Sequence, residues 1–302
     1  MKSDGWKNGF RKTGFGKNRF AGGMNPLVIS AAALIAGLLA YLIGIPPLHR
    51  IELDTVDLRF KIRGERPARP EVVLAVVDEK SIAREGKWIW PRAKMAALVN
   101  RLSEAGARVI AFDIGFFESD ENDTRVIQAL DQVADRIDRL DNPPAGIKDY
   151  LARLKSEADQ DRLLAEAIRN STAEVVLGYF FHTRLDHPEA MAEPLVAYHR
   201  ENIAGSEYRI ARIGPDAASA PILKGILPQS NIRPISEATR YAGHFNMEPD
   251  RDGVVRFIPT AIFFRDHLYA PFSLIAAAAY LDQPLSIEVN RDGVVSEKIG
   301  SK

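Results

Sequence analysis

Twenty mostly apolar residues, 26–45 (PLVISAAALIAGLLAYLIGI), stand inside a stretch without any charge, from Ala21 to Leu48. At about 1.5 Å per residue, twenty helical residues cover roughly 30 Å, one hydrocarbon core. The pattern therefore predicts a transmembrane anchor over 21–48. The exit through IPPLHR is a poor cleavage context, which favours an uncleaved anchor over a signal peptide. After the two prolines, HRIELDTVDLRFKIRG (49–64) restarts as a helix, and ERPARP is a linker, so 49–70 reads as a stalk.

Beyond the stalk the periodicity changes. Residues 72–77 (VVLAVV) form a continuous β-branched run of the kind that a strand covered on both faces shows. Met95, Leu98, Val99, Leu102 and Ala105 recur at helical spacing, and Gly106 stops that helix. A second strand is predicted at 109–114 and a third at 174–181 (EVVLGYFF), with a helix over 159–170 between them. Strand, helix, strand is a βαβ unit, which makes the strands at 72–77 and 109–114 parallel neighbours. Between 123 and 158, Val126, Leu130, Val133, Ile137 and Leu140, then Ile147, Leu151, Leu154 and Ala158, are spaced four and three apart around the turn DNPPAG. This predicts an antiparallel helical hairpin inserted in the body. Residues 183–233 show no clear periodicity and read as a long excursion with little regular structure. The end returns to strands, with turns at 249–253 and 265–267, then a helix in PFSLIAAAAYL and a last turn at NRDG. The fold class is α/β: an N-terminal transmembrane helix, then a mixed sheet with a parallel βαβ core, flanking helices and a helical-hairpin insertion. The expected organisation is a basic tail (1–20), an anchor (21–48), a stalk and linker (49–70) and a folded body (71–302).

The chain of 302 residues is formally neutral, with 40 basic and 40 acidic residues. That neutrality hides an asymmetry. The first twenty residues hold six Lys/Arg and one Asp, so the tail carries about +5 and the remainder about −5. A basic flank before an apolar segment keeps the tail in the cytoplasm and sends the body across. A weakly acidic body argues against nucleic acid, whose phosphates need a basic face. With no cysteine, disulfides and thiolate chemistry are excluded. The stretch GFGKNRF fits contact with an anionic membrane surface, so lipid is expected to meet residues 1–48.

Asp78 and Asp113 end the first two predicted strands, where open parallel sheets bind ligands. As neighbours they would repel unless a proton or a cation intervened, and Lys80 and Arg92 are at hand. The alternative is capping of the next helix or turn by either side chain. WIWPR (88–92) offers an aromatic wall with a cationic anchor, or a plug over a sheet edge. DRDG (250–253) lacks the later ligands of a calcium loop and reads as a turn. His182, His187, His199, His244 and His267 show no ligand spacing, so no metal is expected. No cofactor is expected either, because no P-loop, G-x-G-x-x-G or G-x-S-x-G occurs.

DLRFKIRG, VVLAVVDEKSI, WIWPR, VIAFDIGFFE, VVLGYFF and GHFNMEPDRDGVVRFIP occur in this order, and in it the chain resembles the CHASE domain of the second type over about residues 53–282. The resemblance implies an extracytoplasmic sensory domain, at the inner membrane, of proteins whose effectors are nucleotide cyclases, diguanylate cyclases, histidine kinases or serine/threonine kinases. It is most similar to the adenylate/guanylate cyclase members. It implies further membrane helices and an effector beyond residue 302, with no catalytic domain in these residues, and a homodimer answering an unknown small-molecule or protein stimulus. The family's recurrent positions fall on Asp57, Arg59, Asp78, Ser81, Trp90, Arg92, Asp113, Asn246, Asp252, Gly253 and Arg256. Of these, Asp78, Ser81, Trp90, Arg92, Asp113 and Asn246 are the candidates for ligand contact, and Asp57 and Arg59 for signal transmission. Two rival readings are an anchored enzyme using Asp78 and Asp113, and a scaffold assembled through the 123–158 hairpin.

Overall fold

The structure, a computed structural model, describes residues 25–43, 46–67, 69–140, 143–184, 192–215, 219–250 and 252–300. The basic tail and His187 lie outside them. The chain divides into two compact units, Met1–Val76 and Val77–Lys302.

In the first unit, α1 (Pro26–Ile43) is charge-free and α2 (Pro46–Arg63) is the predicted stalk helix. Gly64, at φ 69°, ends α2, its amide donating to the Phe60 and Lys61 carbonyls. Among the described residues no helix is long and apolar enough to cross a membrane. This corrects the transmembrane anchor expected over 21–48. The helix comprises 18 residues, or about 27 Å against a core of roughly 30 Å.

A second correction concerns residues 72–77. Among the described residues they form and pair with no strand, and Val72, Val73, Leu74 and Val76 are 67–83% exposed. Apolar, β-branched composition selects an extended backbone; it does not by itself supply a neighbour. The parallel unit therefore begins one strand later than expected.

The second unit is built around β2 (Glu174–His182). It pairs in parallel with β1 (Val109–Phe112) and with β6 (Tyr241–His244), and at its far end antiparallel with β5 (Leu227–Gln229). Both faces of β2 are covered, as its unbroken apolar run requires. Val175 and Leu177 share a core with Met95 and Val99 of α4 (Arg92–Glu104) and Leu164 and Ile168 of α7 (Gln160–Asn170). Val176, on the other face, packs in a core with Ile275, Ala278 and Ala279 of α10 (Phe272–Leu281). The small side chains of α10 let it lie close: a Cβ on Gly243 would come within 2.5 Å of the Phe272 Cα. Farther along β2, Tyr179 and Phe181 join an aromatic core with Phe264 and Tyr269.

The predicted hairpin forms from α5 (Glu121–Asp138) and α6 (Ile147–Ala158). Only part of the expected seam closes. Leu130, Ile137 and Leu151 line a groove between the helices, whereas Val126, Val133 and Leu140 are exposed. The 183–233 excursion is also corrected. It holds α8 (Glu193–Asn202), a 3-10 turn (Ala204–Ser206), β3 (Ile210–Ile213), β4 (Leu223–Lys224) and β5. The strand β3 joins a sheet with β9 (Leu285–Asn290) and β10 (Gly293–Ile299), and β4 joins one with β7 (Ile262–Phe264) and β8 (His267–Tyr269). The β7–β8 turn falls at Arg265 and Asp266, both at positive φ, within the predicted 265–267.

Candidate functional site

The side chains singled out from the sequence are mostly committed to holding the fold. Asp78 does not end a strand; it caps α3 (Glu79–Glu85), accepting from the Ser81 amide (2.8 Å) and hydroxyl (2.7 Å). Those two bonds hold its carboxyl below the usual range. Asp113 is exposed just beyond β1. No strand forms at 72–77 among the described residues, so Asp78 and Asp113 do not end two successive strands. Trp90 donates its indole N–H to the Gly86 carbonyl (3.0 Å) and stands edge-on to Trp88, against the α4–α7 core.

Arg92 is nearly enclosed. Its Nε lies 3.1 Å from Asp161 Oδ1, Nη2 donates to the Glu118 carbonyl (2.9 Å), and the guanidinium covers the Phe116 ring at 4.8 Å. The other oxygen of Asp161 accepts from the Asp120 amide (3.2 Å). Beside it, buried Asp123 accepts from Gln160 twice, and its carboxyl is pushed up, first by burial and then by Asp120 and Asp161. This polar group joins the start of α4 to the base of the hairpin. Asn246 substitutes for a strand residue: its amide oxygen accepts from the Phe181 N–H (2.8 Å) while its NH₂ donates to the Phe181 carbonyl (2.7 Å). Arg256 is held by Asp250 (2.9 Å) and Asp252 (2.8 Å) across the turn at Gly253, and it draws the Asp252 carboxyl down to about 2. In the first unit, Asp57 is half-buried on α2, and Arg59 is exposed with its Nε on the Thr55 carbonyl (3.2 Å).

A cavity of about 350 Å³ opens elsewhere, on the Leu177–Tyr179–Ala242 face of the sheet. That size falls within the range, about 300–1,000 Å³, of small-molecule sites. None of the six ligand-contact candidates lines it. Its floor is apolar: Leu177, Ala242 and Ile203 are all buried. Its walls come from residues 201–209 and 231–240. The second wall is fastened to the sheet by Asn231, whose Oδ1 accepts from the Phe116 N–H (2.7 Å) and whose NH₂ donates to the Gly178 carbonyl (3.0 Å). The Asn231 carbonyl in turn accepts from Asn202 (3.2 Å), Ser230 (3.0 Å) and Ser236 (3.1 Å). Behind Asn202, Ser230 Oγ meets His199 Nδ1 at 2.8 Å; burial, and then His182, lower the His199 pKa.

Three arginines reach the cavity. Arg233 is neutralised by Glu201 (2.7 Å) and Glu237 (3.8 Å) and lies over Tyr198. Arg240 pairs with Glu174 (2.9 Å) and lies over Tyr241. Arg209 is exposed and, among the described residues, has no acidic partner. The sequence reading missed this site, and its view of 183–233 as irregular passed over one wall.

The body is thus α/β, with a cavity of small-molecule size between polar walls. The family model of the CHASE2 domain matches residues 31–300, and the chain belongs to that family. CHASE2 domains are sensory domains of signalling proteins. Comparisons with curated proteins and with solved structures give no match.

Proposed function

We propose that the chain is the input part of a signal-transduction protein that controls a nucleotide cyclase, with the cavity beside Leu177 and Ala242 receiving the stimulus. The observation that carries this reading is the CHASE2 match over nearly the whole chain. The body works outside the cytoplasm at the inner membrane. Its α1 meets lipid, since a charge-free helix exposing Leu27, Leu34, Leu38 and Leu42 gains stability only from an apolar surrounding. The protein acts as a homodimer, for which Val126 and Val133, exposed and seven residues apart on α5, provide an apolar face.

A stimulus acts only through unequal affinity for two conformations; an affinity ratio of about a hundred corresponds to roughly 3 kcal/mol. The walls at 201–209 and 231–240 are the parts a bound molecule would draw together. Cyclic nucleotide levels in cells producing the complete gene product test the reading. Removing residues 77–302 is expected to change the basal level several-fold. An unchanged level, with altered phosphotransfer or cyclic dinucleotide instead, assigns the output to a histidine kinase or a diguanylate cyclase.

A further inference from the structure

We infer that the cavity between the Leu177–Ala242 face and the segments 201–209 and 231–240 binds a small organic monocarboxylate, whose charge is met by Arg209 and whose apolar part covers Leu177, Ile203 and Ala242. This deepens, and rests on, the sensory reading above.

The charges at the rim decide the class of ligand. Arg209, Arg233 and Arg240 stand with Glu201 and Glu237 around the cavity, and with Glu174, the partner of Arg240, the six charges cancel. Arg233 already has its two carboxylates and Arg240 has Glu174. Arg209 is the cavity arginine that has no carboxylate partner among the described residues, and its planar fork matches one carboxylate. A neutral ligand would gain little from that guanidinium beyond what water already gives it. A phosphate monoester, at close to two negative charges, would meet repulsion from both rim glutamates, with Arg209 the one cavity arginine unpaired among the described residues to offset it.

The polar groups lower in the cavity narrow the choice further. The Asn231 amide, the Ser236 hydroxyl and the Tyr179 hydroxyl already have partners within the protein. A sugar-like ligand with many hydroxyls would find few of its hydrogen bonds returned, and each unmet group disfavours binding. The floor suits a hydrocarbon part, since Leu177, Ile203 and Ala242, which line the cavity, have aliphatic side chains. One charged end and one apolar end, in about 350 Å³, describe a short aliphatic or aromatic acid.

Calorimetric titration of the full 302-residue chain with hexanoate and benzoate, each matched to its neutral amide, with inorganic phosphate as competitor, tests the inference. The acids are expected to bind saturably and at least about tenfold more tightly than the amides, the worth of one charge-assisted hydrogen bond. In Arg209→Met, which keeps the stem at an exposed position, acid and amide should bind alike. Arg265→Met, at an exposed arginine outside the cavity, should retain the preference. Equal binding of acid and amide by the native chain overturns the inference, as does displacement of the acids by phosphate, or an acid preference that survives in Arg209→Met. Absence of binding while removal of 77–302 still alters cyclic nucleotide output removes the carboxylate assignment alone. Saturable acid binding with no effect of that removal leaves the site and removes the cyclase reading.

Discussion

Arg92→Met is expected to lower folding stability by about 3–5 kcal/mol, the usual consequence of removing one partner of a buried ion pair. The side chains of Arg92 and Asp161 are only 11% and 8% exposed. Methionine fills much of the volume but leaves the Asp161 carboxylate enclosed, with the Asp120 amide as its remaining donor. It also uncovers the Phe116 ring and frees the Glu118 carbonyl. For a domain of this size that loss corresponds to roughly 10 °C in Tm. Urea denaturation is the measurement. The double variant Arg92→Met, Asp161→Leu should recover most of the loss, because an apolar pair leaves no charge stranded. If Arg92→Met unfolds at the native urea midpoint while the response to a stimulus disappears, Arg92 is a ligand anchor, as its place in WIWPR suggested.

The second large effect belongs to His244. It is 1% exposed, at the end of β6, and neither ring nitrogen has a hydrogen-bond partner of good geometry among the described residues. Phe181 packs edge-on to it, at 6.4 Å between ring centres. Burial pushes its pKa down from 6.5 to about 3, opposed only in part by the Tyr269 backbone. The unfolded chain therefore binds a proton that the folded chain refuses. Stability from this residue is fully present above about pH 6.5 and is lost as pH falls from there toward 3, at about 1.4 kcal/mol per pH unit. His244→Phe should remove that slope and, by replacing two unmet nitrogens with carbon, add about 1–2 kcal/mol at pH 7. Urea midpoints of both proteins between pH 7 and 5, above the range where carboxylates titrate, give the answer. Parallel slopes would mean that the imidazole finds a partner in solution.

Much of the body was legible because its signals are local. The apolar run of β2, the 3.6-residue rhythm of α4 and α7, the glycine stops and the NRDG turn each act within one element. Capping was one of the two readings open for Asp78, and the structure shows that side chain capping α3. The 72–77 run misled because composition reports backbone preference and not the presence of a partner. The excursion misled for the opposite reason: its strands are two to four residues long, too short for any period to show. The cavity could not be seen at all. Leu177, Asn202, Arg209, Arg233 and Ala242 converge only through tertiary packing, fixed by Asn231 bonds that reach back 53 and 115 residues. Likewise, Arg92 is separated from Asp161 by 69 positions, so a sequence reading could place the cation but not its partner.

The account depends on a sheet centred on β2, with the cavity on its Leu177–Tyr179 face, and on residues 72–77 forming no strand. Amide hydrogen exchange of the full chain, resolved to short peptides, tests this arrangement most directly. The amides of 175–181 are expected to exchange only with global unfolding, and those of 231–236 to be protected with them, while 72–76 exchange at nearly the rate of an unstructured peptide. Protection of 72–76 equal to that of Val109–Phe112 would restore the predicted first strand beside β1 and contradict the fold described for this body.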